Sequence, residues 1–540
     1  MKELLLHNVK ILCPDGSISP HNALFIKNGT IQTIGHFNSL KLNLQNSKNA
    51  INLQGKLLLP AFCDVHTHFF EMAKMSQYID LSKATSVEEI RALLIEWRKE
   101  LKNKPKWIRG WGWSINKYKD AALLNKSLLD TVFPDIPVTF DSFDLHTKWS
   151  NSLALKIAGI NKDTKNPLGG EIAKDANGEP NGILKELAWE LINNVIPEYS
   201  FSEKKDLVKK SIQQAWAYGI SGVHFMEGQD SFEINKSLVE DDTKFRFYWH
   251  FPSTAIDEMI ELKKKNNFKL FHSKHTDEAY SSFLRIMGMK VFMDGSLGSK
   301  TAWMFDPYPG DKKLLNYGRL SQRFEELYQL MLKAAKEGIP STIHSIGDRC
   351  SHELIKCFIK LNHEVSEPLN HRIEHLQALK QEDFALLKKS GVSCALQPVH
   401  MKEDIAYIQD VWKEAWAWAY PVKTLLDYQI PFAFSSDAPV ETINPFQGIY
   451  SAIERKMYND PKSLTWRPEE RISVLQAIDA YTKCAAKISG VAGHSLGSIK
   501  EGYTADLMVI DNFLEQDNTF WLTAKSHLTI VDGKIVYQDI

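Results

Sequence analysis

The sequence predicts an α/β protein: a (β/α)8 TIM barrel, a composite β-sandwich built from both chain ends, and an α/β insertion after the first barrel strand. Three observations carry this. A unit of helix, glycine, β-branched residue and strand recurs through the middle of the chain; short strands and turns fill both ends; and several central apolar runs stop at a residue able to bind a metal.

The recurring unit appears as Ala215-Trp216-Ala217-Tyr218-Gly219-Ile220 leading into Gly222-Val223-His224-Phe225, as Lys333 to Ile339 leading to His344, and as Leu386 to Val392 leading to Gln397. A fourth copy, Leu425 to Ile430, leads to Asp437 without the glycine. Glycine after a helix supplies the left-handed turn that returns the chain to a sheet. Helices alternating with buried strands imply a parallel sheet, and eight such strands close a barrel. The eight are expected to end near His66, His224, His250, Lys290, His344, His375, Gln397 and Asp437.

Residues 3 to 56 alternate short apolar runs with turns such as Pro14-Asp15-Gly16 and Lys27-Asn28-Gly29, and the C-terminal stretch, with Ala505 to Ile510 and Leu528 to Tyr537, has the same texture. Residues 1–56 and 490–540 are therefore expected to pair into one sandwich around a barrel of 57–489. The gap between the first two barrel strands makes 70–205 an insertion. It holds a helix with a capping box from Ser86 to Glu89 and apolar positions Ile90, Leu93, Leu94 and Trp97. Insertions of this length on a barrel's catalytic face usually shape a pocket.

With 540 residues, 44% of them hydrophobic, and a formal charge of -1, the composition is that of a soluble globular protein without the basic excess that nucleic acid attracts. Six scattered cysteines without paired metal spacing read as buried thiols in a reducing compartment. Met1-Lys2-Glu3 and three leucines lack the pattern of a signal peptide, and no later run is long enough for a membrane span. A cytoplasmic protein acting on a small molecule, with neither nucleic acid nor membrane as partner, is expected; nothing in the pattern sets an oligomeric state.

Chemistry concentrates at the strand ends. In Leu57 to His68, strand alternation places His66 and His68 on one face, where they can share an ion. Lys290, His344, His375 and Asp437 end later runs, while Val392 to Gln397 ends without an obvious ligand. Parallel barrel strands converge at their C-terminal ends, so residues distant in sequence can meet at one mouth. His224 and His250, also at strand ends, are candidate substrate contacts. Ser296, Ser299 and Ser435 lack the glycine pair of a nucleophile elbow. Trp412, Trp416 and Trp418 suit a pocket wall or a packed lid helix equally.

The order His66-x-His68, Lys290, His344, His375, Asp437 resembles the amidohydrolase superfamily of metal-dependent hydrolases. The phrases Lys290-Val291-Phe292-Met293-Asp294-Gly295-Ser296, His344-Ser345-Ile346-Gly347-Asp348, Arg372-Ile373-Glu374-His375 and Ser436-Asp437-Ala438-Pro439-Val440 are similar to its family 3 subgroup, which includes N-substituted formamide deformylases. This resemblance implies that His66, His68 and Asp437 bind one metal and His344 and His375 a second. Lys290, carboxylated by carbon dioxide, would bridge them. It further implies that Asp437 takes the proton of the attacking water and passes it to the leaving nitrogen. Asp144 to Ser152 resembles a subgroup motif that brings a histidine to the active site, so His146 is the candidate for orienting the substrate carbonyl or the oxyanion. Imidazole and carboxylate ligands suit zinc, and would also accept manganese, iron or cobalt. Ala61 stands where the usual phrase has glycine. The expected activity is hydrolysis of an amide, N-formyl or N-acyl bond; an ester, lactone or phosphoester hydrolase on the same metals, or a metal-containing barrel that only binds a small molecule, remain the alternatives.

Overall fold

The computed structural model describes residues 3–43, 49–114, 118–120, 123–142, 147–265, 283–309, 315–411, 419–490 and 495–539. The chain divides into two compact units, Met1–Phe70 with Val208–Ile540, and Glu71–Leu207.

The first unit is built on eight parallel strands: β1 Phe62–Thr67, β2 Ile220–Phe225, β3 Arg246–Pro252, β4 Leu284–Phe292, β5 Ser341–Ser345, β6 Arg372–His375, β7 Ser393–Leu396 and β8 Phe432–Phe434. They pair in chain order from β1 to β8. At the C-terminal ends the ring is joined by the Asp437 N–H donating to the His66 carbonyl (2.9 Å) and the His68 N–H donating to the Ala438 carbonyl (2.8 Å). The strands are near-continuous buried runs, as a parallel sheet covered on both faces requires.

The recurring unit forms as its glycines dictate. Gly219, Gly338 and Gly391 follow the helices Phe201–Ala217, Phe324–Lys336 and Asp383–Ser390 with φ of 74°, 67° and 67°. In the copy without glycine, Gln429 adopts φ 55° after Val422–Asp427. The turn is therefore kept, at a cost of roughly 1–2 kcal/mol for the side chain in a left-handed conformation.

Both chain ends contribute to the remaining sheets of this unit. A four-stranded sheet holds Thr30–Gly35, Ala23–Lys27, Glu3–His7 and Ala50–Asn52; a five-stranded one holds Lys10–Ile11, Leu57–Pro60, Leu507–Ile510, Leu528–Val531 and Lys534–Gln538. Leu6, Leu24, Ile26 and Leu58 from the N-terminal side share one core with Leu507, Val509, Leu528 and Ile530 from the C-terminal side. Leu57–Pro60, which the sequence reading runs into the first barrel strand, pairs antiparallel with Leu507–Ile510. The chain passes into the barrel at Ala61.

The second unit carries a six-stranded sheet, in order Gly170–Lys174, Pro180–Glu186, Thr147–Ser150, Val138–Ser142, Ile108–Trp113 and Ile79–Asp80. Its helix Val87–Glu100 is capped by Ser86, whose hydroxyl accepts from the Glu89 N–H (3.2 Å). The second half of the expected capping box shifts by one residue: the Glu89 carboxylate accepts from the Thr85 N–H (2.7 Å). Ile90 and Leu94 are buried, whereas Leu93 faces out. Among the described residues no helix is long and apolar enough to cross a membrane, and all six cysteines are free.

One buried ion pair ties β3 to the C-terminal segment. Arg246 donates from Nε to Asp506 Oδ2 (2.6 Å) and from Nη2 to Oδ1 (2.9 Å), and Asp506 also accepts from the Asp532 N–H (2.9 Å). Removing one partner strands a charge where water cannot reach it. Asp506→Ala should therefore lower stability by about 3–5 kcal/mol, read as an earlier urea midpoint; an unchanged midpoint would show that the pair is relaxed in solution.

Candidate metal centre

Four strand ends and the loop turns beside them build the site. His66 lies near the end of β1 and His68 just beyond it; the Nε2 of each is 3.3 Å from Asp437 Oδ1, neither aligned as a hydrogen bond. Ligand atoms of His66, His375 and Asp437 all lie within 4.8 Å of one another. His375 and Asp437 have φ of 77° and 58°, and Leu376 follows at 42°. Left-handed backbone at residues other than glycine costs of order 1–3 kcal/mol and survives where the surroundings require it. Here it turns two candidate ligands into the mouth.

Hydrogen bonds fix which nitrogen each imidazole presents. His66 Nδ1 donates to Glu374 Oε2 (2.5 Å), leaving the Nε2 lone pair. His375 Nδ1 donates to Gln397 Oε1 (2.9 Å), again leaving Nε2. His344 Nε2 donates to the Gly295 carbonyl (3.2 Å), leaving Nδ1, and its ring centroid is 4.4 Å from that of His375. Burial, reinforced for His66 by the charge on Lys290, holds the His66 and His375 rings neutral, far below the ordinary imidazole range, and brings His344 down to about 3. Burial alone would raise Asp437, but the His68 and His375 rings outweigh it and hold the carboxylate ionised. Lys290, buried at the end of β4, is lowered to about 8 by desolvation.

Four buried atoms of these groups are left without a hydrogen-bond partner: His66 Nε2, Lys290 Nζ, His344 Nδ1 and Asp437 Oδ1. Each unsatisfied polar atom costs about 1–3 kcal/mol in a protein interior. At His66 and Asp437 the mismatch is sharper, because a neutral imidazole lone pair faces a carboxylate oxygen at 3.3 Å. Two acceptors so close repel unless a cation or proton lies between them. The donor set of imidazole nitrogens and carboxylate oxygen fits a divalent ion such as zinc.

A second layer holds these groups. Asp64 accepts from the backbone N–H of His66 (3.1 Å) and of Ser436 (3.1 Å), pinning β1 to the loop after β8, and burial raises it to about 7. Asp294 accepts from the N–H groups of Ile346 (3.1 Å), Gly347 (2.8 Å) and Trp303 (3.0 Å), which fixes the loops after β4 and β5 beside His344. Gln397 follows β7, the run without an obvious ligand, and orients His375 while donating to Ser435 Oγ (2.9 Å). Its place at a strand end among ligand-bearing runs was the available signal.

His224 and His250, expected as substrate contacts, lie inside the barrel. Their rings are fully buried inside the barrel, and both nitrogens of each are engaged: His224 with His250 (2.9 Å), Arg372 (3.0 Å) and Ser489 (2.7 Å), His250 also with Thr342 (2.8 Å). His146 lies outside the described residues, as do Trp412, Trp416 and Trp418. Ser296, Ser299 and Thr301 hydrogen-bond among themselves in the loop after β4, and burial pushes the Cys63 thiol far up, away from reactive thiolate.

The profile of the Amidohydrolase family matches residues 49–537. A putative amidohydrolase, YtcJ, of Bacillus subtilis (strain 168) is 30% identical over 532 residues, covering 96% of each chain. An N-substituted formamide deformylase of Arthrobacter pascens is 23% identical over 553 residues, covering 100% of this chain and 99% of its own. The solved structure of an uncharacterized metal-dependent hydrolase from Pyrococcus furiosus shares the fold, with a TM-score of 0.75 at 24% identity over 96% of this chain and 100% of that one.

Proposed function

Because the chain belongs to the amidohydrolase family, as a metal-dependent hydrolase, we propose that it cleaves a carbon–nitrogen bond of amide, N-formyl or N-acyl type in a small molecule. The observation that carries this is the set of partnerless buried atoms on His66, Lys290, His344 and Asp437 at one barrel mouth. The deformylase relative supports the N-formyl choice.

In this reading His66, His68 and Asp437 would hold one ion and His344 and His375 a second, with Lys290, as a carbamate, supplying a ligand to both. The neutral Lys290 amine adds its lone pair to carbon dioxide and releases one proton; an ammonium has no lone pair to offer. A divalent cation, zinc by preference, supplies when bound an acidified water and a polarising charge at the carbonyl. Gln397 and the Gly295 carbonyl keep the protons of His375 and His344 on the nitrogens turned away from the centre. Asp437, ionised between His66 and His68, takes a proton from the attacking water and delivers it to the departing nitrogen. His146 is assigned to the substrate carbonyl or oxyanion on the motif that carries it. Six free cysteines support a cytoplasmic location.

Asp437→Asn should lower kcat about 10²–10⁴-fold on a panel of N-formyl and N-acyl amines; a variant as fast as wild type would remove the proton carrier, and faster turnover of esters than amides by the wild type would move the assignment to ester hydrolysis.

Dialysis against a zinc chelator should abolish activity, and zinc should restore it more slowly in buffer stripped of carbon dioxide than with bicarbonate present. Because burial lowers Lys290 to about 8, capture of carbon dioxide by the protein supplied with zinc should increase as pH rises through that value, followed by intact mass under native conditions. Equal restoration with and without bicarbonate would exclude the carbamate.

A further inference from the structure

Beneath the candidate ligands, the barrel interior holds a chain of charged and polar groups that the hydrolytic reading leaves without a task. Arg372 donates from Nε to Glu374 Oε1 (2.9 Å) and from Nη2 to both Glu374 Oε2 (3.0 Å) and the Val65 carbonyl (2.7 Å). Its Nη1 donates to His224 Nδ1 (3.0 Å). His224 therefore carries its proton on Nε2 and donates it to Ser489 Oγ (2.7 Å), which passes its own hydrogen to the Ala485 carbonyl (2.7 Å). Every group in this run has one direction of donation, and Glu374 is held with its carboxylate fixed against His66 Nδ1.

Two carboxylates flank the His66 ring, and a neutral imidazole has one proton. Glu374 Oε2 lies 2.5 Å from Nδ1, whereas Asp437 Oδ1 lies 3.3 Å from Nε2 and off the hydrogen-bonding line. If Nε2 carried the proton, it would turn toward Asp437 and close the site to a cation. If Nδ1 carries it, the Nε2 lone pair is left free.

We propose that the Arg372–Glu374 pair is the positioning device of the centre, holding the His66 proton on Nδ1 so that Nε2 remains open to a divalent cation. Arg372 holds the Glu374 carboxylate in place from Nε and Nη2, with His224 and the Val65 carbonyl holding Arg372 in turn. This rests on the cation-binding reading above. Outer partners of ligating histidines of this kind contribute about 10–100-fold to metal affinity, and the contact of Glu374 with His66 joins β6 to β1, so it also sets the separation of His375 from His66, whose ring centroids lie 4.9 Å apart.

The test is zinc affinity of the full-length protein by competition with a chromophoric chelator. Glu374→Gln should bind zinc about 10–100-fold more weakly than wild type, and the visible spectrum of its cobalt-loaded form should shift as the His66 ligand reorients. A folded Glu374→Gln with wild-type affinity and an unshifted cobalt spectrum overturns the proposal. Should the variant not fold, ¹⁵N-histidine NMR of metal-free wild type decides: the His66 proton is expected on Nδ1, and a proton on Nε2 overturns it. A wild type that binds no zinc would instead remove the cation reading itself, while the tautomer measurement would still report on Glu374.

Discussion

Closure of the barrel is the constraint on which the site depends. The Asp437 N–H donates to the His66 carbonyl, and the side chains of the same two residues meet at 3.3 Å. One pair of residues thus joins the last strand to the first and forms the nucleus of the centre. Asp64 reinforces the seam by accepting from the backbone of both His66 and Ser436. A change that opened the ring here would separate the ligands, whatever happened to the imidazoles themselves.

Strand geometry alone would not assemble this centre. Alternation sends successive side chains to opposite faces of a strand, yet consecutive residues of β6 both reach His66: Glu374 through its carboxylate, His375 through its ring. The left-handed φ at His375 breaks the alternation and makes this possible. Asp437 uses the same device after β8. The strain sits on two residues proposed as ligands, whose partners hold them in place on several sides.

The barrel was legible in the sequence because its signal is repeated: helix, turn and buried strand recur, and the strand ends found lie within a few residues of those expected. Even the copy lacking glycine folds alike, since Gln429 accepts the left-handed turn. Position along a strand says less about depth. His224 and His250 sit near strand ends as His344 does, but their rings are packed with Arg372, Ser489 and Thr342 inside the barrel. Leu57–Pro60 was equally ambiguous, because an apolar run bounded by a proline fits a barrel strand and a sandwich strand alike, and only its pairing with Leu507–Ile510 decides. The partner of His66 was hidden for another reason: Glu374 is 308 residues away, and nothing in its local pattern distinguishes a carboxylate that orients a ligand from one that pairs with arginine. It does both.

Charge shows why the proposed lysine modification and cation binding would depend on each other. With an ordinary ammonium on Lys290, two positive groups, Lys290 and Arg372, and two negative ones, Glu374 and Asp437, face one another at the centre, and these four balance. Converting the amine to a carbamate replaces a positive charge with a negative one. The Arg372–Glu374 pair still cancels, but Asp437 and the carbamate then leave two uncompensated negative charges in a buried space, a state that desolvation strongly opposes. The first divalent cation restores neutrality. In the reverse order, a cation entering beside a charged ammonium would add positive charge to a centre already balanced. Each event therefore removes the electrostatic obstacle to the other, and the lysine lowered to about 8 by burial is the group whose loss of a proton lets the exchange begin.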